Sequence, residues 1–278
     1  MLLPSFAAAA ALAVACGSLS VLVVARRWAF LGEGIGHGGF GGAGVAWLLA
    51  VLFPTTLNQP WLPAVGVIAF GLASALAIAY LSDHGRAEAD AAIGIVMVAG
   101  LALGLLARQV YQWRNHGTDP VGYNDVLFGQ MTGLSADYAV STAMLATAVL
   151  LAAGLLGKEL IAYGFDPALA RTSGVRVSAV HYLLLLLVTA TILLGIRLLG
   201  GPLVTALLVI PGTAALRVGR RLAGTFAVSV TVATTAALVG VAAHVRWPFV
   251  PPGPAIVLAL LVELAGCYAV APGRAREG

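Results

Sequence analysis

The sequence has little charge, and this scarcity excludes most soluble classes of protein. Only 9% of its 278 residues are Asp, Glu, Lys or Arg, whereas 60% are hydrophobic and the mean hydropathy is +0.99. A soluble globular protein carries roughly 25% charged residues. The composition therefore predicts a polytopic membrane protein, and the stretches between its apolar runs are too short to hold a soluble domain.

Cysteine is also scarce. The two cysteines, Cys16 and Cys267, both stand inside apolar segments, where cysteine usually packs as a small hydrophobic residue. A disulfide between them is therefore disfavoured, and the two residues say almost nothing about the redox compartment. The formal net charge of +4 does not indicate a nucleic-acid partner, because the basic residues are scattered rather than gathered into a stripe.

Long apolar runs are abundant. About 20 apolar residues cross the ~30 Å hydrocarbon layer as a helix. Residues 1–25 contain no early basic residue, so they are predicted to be a first span rather than a secretory signal. We expect an all-α transmembrane bundle of eight or nine spans in a single domain, 1–278, with one short run that could be a partial span. The predicted spans are 4–25, 39–57, 61–81, 91–108, 137–157, 178–199, the short 203–216, 222–243 and 253–271.

The distribution of basic residues predicts the orientation. Cytoplasmic loops of membrane proteins collect Lys and Arg. Nine spans with the N-terminus outside put most of the basic residues inside, so the C-terminus is predicted to be cytoplasmic. The predicted inside set is Arg26, Arg27, Arg86, Lys158, Arg171, Arg176, Arg217, Arg220, Arg221, Arg274 and Arg276, and the outside set is Arg108, Arg114, Arg197 and Arg246.

An acid and a histidine, Glu33 and His37, stand four residues apart in a glycine-rich apolar stretch, 31–44. On a helix this spacing puts both side chains on one face. Ionisable groups within a membrane segment are costly and usually functional, and carboxylate with imidazole suits a divalent cation such as zinc or manganese. The alternative is a structural pair near the cytoplasmic interface, in which Glu33 forms an ion pair with Arg26 or Arg27.

The predicted outer segment, 109–130, mixes aromatic and polar residues. This mixture is typical of aromatic residues at a membrane interface. A gate or a docking surface for an external delivery protein is the functional alternative. His116 and Asp119 could also bind a metal, although two such residues in a loop are a weak signal.

The predicted inner segment, 163–176, has the signals of a short capped helix. Asp166 suits the N-cap, Pro167 the first helical position and Gly174 the C-terminal stop. It could be an ordinary loop helix or a surface that a cytoplasmic partner contacts. Glu263, four residues before Cys267 in the last span, is predicted to be protonated or hydrogen-bonded to a neighbouring helix rather than to bind zinc.

Three stretches in order along the chain resemble the permease subunits of ATP-binding-cassette (ABC) importers for zinc, manganese or iron. Leu-Gly-Glu-Gly-Ile-Gly-His-Gly-Gly-Phe-Gly-Gly at 31–42 resembles the family's Leu-Gly-Asp-Ala-(Ile/Leu)-Ser-His-Ala-Val-Leu-Pro-Gly, with Glu33, Gly36 and Gly41 replacing Asp, Ser and Pro. Phe-Asp-Pro-Ala-Leu-Ala-Arg-Thr-Ser-Gly at 165–174 resembles the coupling segment Phe-Asp-Pro-x-x-Ala-x-x-x-Gly. The stretches 200–215 and 252–257 resemble late family stretches.

The resemblance implies a type II importer fold. It also implies that the protein is located in a bacterial cytoplasmic (inner) membrane. It implies that Glu33 and His37 contact the transported zinc, manganese or iron ion, with no permanently bound cofactor. The implied partners are a cytoplasmic ATP-binding subunit, a second permease subunit in a homo- or heterodimer, and an extracytoplasmic metal-binding protein. The residues implied to dock the ATP-binding subunit are Phe165, Asp166, Pro167, Ala170, Arg171 and Gly174.

The chain is not predicted to be an enzyme. It lacks the Gly-x-x-x-x-Gly-Lys-(Ser/Thr) phosphate loop, and its single lysine, Lys158, follows a lone glycine. ATP hydrolysis would therefore belong to the separate subunit. A permease for a siderophore or cobalamin is the nearest alternative, and a secondary transporter a further one. An intramembrane metalloprotease is disfavoured because His-Glu-x-x-His is absent.

Overall fold

The structure is a computed structural model that describes residues 2–53, 59, 61–83, 88–120, 122–123, 126 and 136–270. The described elements are α-helical, as the sequence predicts. In chain order they are α1 (Leu2–Ala25), α2 (Leu31–Leu52), α3 (Leu62–Asp83), α4 (Ala89–Arg114), α5 (Ala136–Leu155), α6 (Gly157–Phe165), α7 (Pro167–Thr172), α8 (Val177–Leu199), α9 (Gly201–Val218), α10 (Leu222–Arg246) and α11 (Pro252–Val270).

Seven of these helices, namely α1, α2, α3, α4, α8, α10 and α11, are long and apolar enough to cross a membrane. An eighth candidate is the pair α5 and α6, which bends by 75° at a break between them. The apolar part of α9, Leu203–Val218, is shorter, in keeping with the partial span predicted there. The predicted polytopic helical bundle is therefore confirmed.

One predicted boundary is wrong. The second span was expected at 39–57, but α2 begins at Leu31 and ends at Leu52. Its glycines do not break the helix, because unpaired backbone groups within a membrane are costly and because glycine allows helices to pack closely. The shift places Glu33 and His37 inside the helix, in its first two turns. Residues 54–58 of the predicted span lie outside the described residues.

The chain divides into two compact units, and residues make most of their contacts within their own unit. One unit comprises Met1–Ala29, Gln130–Val180 and Leu203–Gly278, and the other comprises Phe30–Gly129 and His181–Pro202. We call them the discontinuous unit and the site unit. The site unit contains α2, α3, α4 and most of α8. That residues 1–278 act as a single permease domain stays a prediction.

Backbone contacts between glycines hold the helices of the site unit together. A Cβ on Gly42 of α2 would clash with the carbonyl of Gly66 in α3. A Cβ on Gly41 would lie 2.9 Å from the carbonyl oxygen of Gly100 in α4, and one on Gly44 would lie 2.9 Å from Cα of Gly104. Since only glycine permits such approaches, α2 sits directly on the backbones of its two neighbours.

Buried serines tie the helices of the discontinuous unit. Ser229 Oγ in α10 donates to the carbonyl of Gly17 in α1 at 2.6 Å. Ser20 Oγ in α1 accepts from the backbone N–H of Gly212 in α9 at 2.7 Å. Gly212 follows Pro211, which interrupts the regular hydrogen bonding of α9. Each bond thus gives a fully buried serine hydroxyl a partner and joins two helices.

Candidate functional site

Glu33 and His37 lie side by side near the start of α2. His37 Nδ1 is 2.9 Å from the backbone carbonyl oxygen of Glu33 and 3.5 Å from Glu33 Oε2. The side chains are 27% exposed for His37 and 22% for Glu33. The sequence prediction that both share one helical face is confirmed by this contact. Neither side chain is sealed in the core, so both remain accessible to a small ion.

The hydrogen bond of His37 defines which ring nitrogen can bind a metal. A backbone carbonyl oxygen only accepts, so Nδ1 must carry the proton that forms the 2.9 Å bond with Glu33. In the neutral imidazole, Nε2 then carries the lone pair. Metal-bound histidines commonly have one nitrogen held in this way, which sets the tautomer and the orientation of the ring.

The neighbouring helices fix the orientation of this pair. Ile35 is fully buried, while Gly34 lies against Ile93 of α4, where a Cβ would be 2.9 Å from the isoleucine side chain. Gly100 of α4 lies against the His37 backbone, and a Cβ there would stand 2.6 Å from the His37 carbonyl carbon. With that side of α2 buried, the acid and the histidine occupy the face that is partly open.

The donor set is small. Among the described residues, no group of three or more His, Cys, Asp and Glu side chains is placed to hold a metal ion. Glu33 and His37 supply one carboxylate and one imidazole, which zinc, manganese and ferrous iron all accept. Such a pair binds a dication only with further ligands. It is suited to a site that an ion enters and leaves.

Arg26, which the alternative interpretation paired with Glu33, has an aromatic neighbour in the discontinuous unit. Its guanidinium carbon lies 4.6 Å from the ring centre of Tyr163 in α6 and 5.7 Å from that of Trp28. Tyr163 is almost fully buried. The arginine therefore makes a cation–π contact that links the end of α1 to α6.

The predicted outer segment is partly helical, because α4 continues to Arg114. After it, Asp119 accepts hydrogen bonds from Arg108 Nε at 2.7 Å and Gln112 Nε2 at 3.0 Å. The Arg108 guanidinium also lies 4.3 Å from the ring centre of Tyr123. These contacts occupy Asp119, which disfavours the metal site considered with His116. Residues 127–130 lie outside the described part of the chain.

An aromatic cluster stands one helical turn beyond His37. Phe40 and Trp47 of α2 pack edge to face at 5.8 Å, and Tyr123 lies 6.2 and 5.9 Å from these two rings. Phe40 also faces Gly104 of α4, where a Cβ would clash with its ring. The outer segment thus folds onto the helix that carries the candidate site, through ordinary hydrophobic and aromatic packing.

The inner segment forms the capped helix that the sequence predicts. Asp166 Oδ1 accepts from the backbone N–H groups of Ala168 and Leu169 at 3.0 and 2.9 Å, and Pro167 is the first residue of α7. Gly174 has φ +84°, beyond the C-terminus of the helix. The predicted N-cap, first position and stop are all confirmed.

The end of α7 is a Schellman motif with an exposed surface beside it. Val175 N–H donates to the Ala170 carbonyl at 3.1 Å and Gly174 N–H to the Arg171 carbonyl at 3.2 Å. Ala170 is buried, whereas Phe165 and Leu169 are 44% and 63% exposed. The helix is therefore held by its small residue Ala170, and it presents Leu169 outward beside Phe165, the last residue of α6.

The other residues singled out by sequence have structural contacts. Thr235 Oγ1 of α10 donates to Glu263 Oε1 at 2.8 Å, which confirms a hydrogen-bonded glutamate on a helix neighbour. Cys16 and Cys267 are both free thiols. Sequence reasoning missed Gly100, which backs His37. Its signal was the Gly100-x-x-x-Gly104 spacing, a common helix-packing pattern in membranes.

The fold and these elements define a multi-pass membrane protein with a short capped helix between its apolar helices. A family model described as "ABC 3 transport family" matches residues 1–269. The chain therefore belongs to the ABC 3 transport family and is a permease of an ABC transport system, a transport subunit.

Named relatives are similar over most of their length. The manganese transport system membrane protein MntC of Halalkalibacterium halodurans is 30% identical over 77% of this chain and 68% of its own. The chelated iron transport system membrane protein YfeD of Yersinia pestis is 30% identical over 82% of this chain and 71% of its own. The solved structure of PsaBC from Streptococcus pneumoniae in complex with Fab has a TM-score of 0.76, with 24% identity over 98% of this chain and 92% of that one. This last likeness confirms the predicted fold.

Proposed function

We propose that this chain is the permease subunit of an importer that moves manganese, iron or zinc ions across the bacterial cytoplasmic membrane. The observation that carries the proposal is the contact between Glu33 and His37 on a membrane helix, partly open and oriented by α4. The names of the manganese and iron transport relatives support the same cargo class.

The two side chains act as ligands along the pathway. The Glu33 carboxylate offsets part of the charge of the dication, and His37 Nε2 supplies a neutral nitrogen donor. Water or the second permease subunit completes the coordination. A site with two protein ligands binds less tightly than a closed four-ligand site, and this favours release on the other side of the membrane.

Energy comes from a separate ATP-binding subunit, since this chain has no phosphate loop. That subunit docks on the surface formed by α7 and its flanks, where Phe165, Leu169 and Arg171 are exposed. Two permease subunits form the membrane part of the complex. An extracytoplasmic metal-binding protein delivers the ion, and the C-terminus of this chain faces the cytoplasm.

The test is ATP-dependent uptake of radioactive manganese, iron and zinc by proteoliposomes that contain the permease, its ATP-binding subunit and its binding protein. His37→Ala and Glu33→Gln are expected to abolish uptake, because each removes one of two protein ligands, and to leave complex assembly intact. His244→Ala is a matched control, since its imidazole bonds only the nearby Val250 carbonyl among its described contacts. If both site variants take up the metal ions as fast as the wild type does, Glu33 and His37 are not ligands of the transported ion.

A metal chelate is the second candidate cargo, because one relative is named for chelated iron. A chelate brings its own ligands and does not need Glu33 or His37 as donors. Uptake of an iron chelate by both the wild type and His37→Ala, with no uptake of free ions, would favour this function. Uptake that follows an ion gradient and ignores ATP would instead indicate a secondary transporter.

A further inference from the structure

An apolar cavity lies in the discontinuous unit, at the break between α5 and α6. It has a volume of about 280 Å³, close to the lower limit for small-molecule pockets. Its walls come from four helices: Leu19 and Leu22 of α1, Gly154 of α5, Ile161 of α6 and Phe226 of α10. The cavity thus adjoins the bend that leads into α7.

The chemistry of the walls restricts what can fill this cavity. Ser18 is the one lining side chain with a polar group, and its hydroxyl already donates to the Ala15 carbonyl at 2.9 Å. A buried water needs two to four polar partners, and a metal ion needs charged or strongly polar donors. The walls offer neither, so the occupant must be apolar.

The glycines at the break keep the cavity open. A Cβ on Gly154 or on Gly157 would have no heavy atom within 4 Å, in contrast to the tightly packed glycines of α2. Larger residues at these two positions would fill the space. A protein that spans a bilayer is surrounded by phospholipids. The apolar group available to fill the cavity is therefore an acyl chain.

The basic residues near the cavity indicate the headgroup. Lys158, the single lysine, is exposed and follows the lining residue Gly157 directly. Arg220 and Arg221 are exposed just before α10, which contributes Phe226 one turn into the helix. Basic pockets between membrane helices on the cytoplasmic side bind anionic headgroups. The predicted orientation puts all three residues on that side.

We propose that this cavity is a binding site for an acyl chain of an anionic phospholipid, with Lys158 pairing with the headgroup phosphate. The lipid supports the first half of α6. The second half is held by protein, because Gly164 packs against Leu22 and Tyr163 lies under Arg26. The first half of α6 is therefore the part of this helix that the lipid supports.

The test uses the permease assembled with its ATP-binding subunit in nanodiscs that contain phosphatidylglycerol with a photoactivatable diazirine in its acyl chain. After illumination, mass spectrometry is expected to find adducts on residues that line the cavity, chiefly on Leu150 of α5, Ile161 and Phe226. Gly154→Leu is expected to remove nearly all of this labelling by filling the cavity. Gly266→Leu is the matched control, because Gly266 also has open space around it but lies on α11.

A second glycine variant tests the cavity independently, and a second lipid tests the contact between Lys158 and the headgroup. Gly157→Leu, on the other side of the break, should also remove the adducts if Gly154→Leu fails to assemble. Lys158→Glu, or phosphatidylcholine in place of phosphatidylglycerol, should lower labelling by about fivefold. Equal labelling in the glycine variants and wild type, or no cavity adduct in the assembled wild-type complex, would overturn the site. Equal labelling by both lipids would overturn the role of Lys158.

Discussion

Gly100 of α4 lies against the backbone carbonyl of His37 in α2, so close that a single added methyl group has no room. The contact joins a glycine, which has no side chain, to the histidine that is the candidate nitrogen ligand. It means that the position of the candidate ligand is set partly by a neighbouring helix. Gly100 of α4 therefore helps to position the candidate site.

Gly100→Ala is expected to lower metal uptake severely. Its Cβ would stand 2.6 Å from the His37 carbonyl carbon, so α4 must move away from α2. Overpacking of this kind costs about 1–3 kcal/mol of stability. Gly94→Ala on the same helix is the control, because nothing lies within 4 Å of that position. Uptake and thermal unfolding should be measured for both, and equal behaviour would contradict the positioning role of Gly100.

Asp166→Ala is expected to weaken coupling between ATP hydrolysis and uptake. The change removes the two N-cap hydrogen bonds of α7, a loss of about 0.5–2 kcal/mol in comparable helices. Asp166→Asn is the matched variant, since asparagine caps equally well. The ratio of transported ions to hydrolysed ATP should fall in the first variant and stay near wild type in the second.

Charge reversal at Arg171 is expected to uncouple the ATP-binding subunit without unfolding α7. Arg171 is exposed on a helix whose buried residue is Ala170, so Arg171→Glu leaves the packing intact and changes the docking surface. Stimulation of ATPase activity by the loaded binding protein is the measurement. If both this stimulation and transport stay at the wild-type level, the ATP-binding subunit does not dock on the surface that contains Arg171.

The exposed contact of Arg108 with Asp119 is expected to hold the outer segment in place. Asp119→Asn keeps the shape of the side chain but removes its charge, so the 2.7 Å bond from Arg108 weakens. Amide hydrogen exchange should become faster in residues 115–119 and 122–123. Arg114→Gln is the control, because this arginine contacts only the Trp113 ring among its described interactions. Unchanged exchange in Asp119→Asn would show that aromatic packing alone orders the segment.

Much of the fold could be predicted because its signals are local. Hydrophobic length predicted the spans, and the order of Asp166, Pro167 and Gly174 predicted the bounds of α7. The pairing of Glu33 with His37 also followed from helical spacing. The start of α2 was missed, since a run of glycines is ambiguous until the neighbouring backbones of α3 and α4 are known. Whether the pair binds the transported ion stays a prediction.

The amino-acid sequence by itself determined the membrane setting, the approximate spans, the cap and stop of α7, and the acid and histidine on one helical face. These features depend on hydropathy, backbone propensity and periodicity within a few residues. Only the tertiary structure decided that Gly100 backs His37, that Asp119 bonds Arg108 and that a cavity opens beside Gly154. The first and the last depend on distances between helices far apart in the chain, and the second depends on how the chain turns back after α4; packing sets these distances and no local pattern contains them.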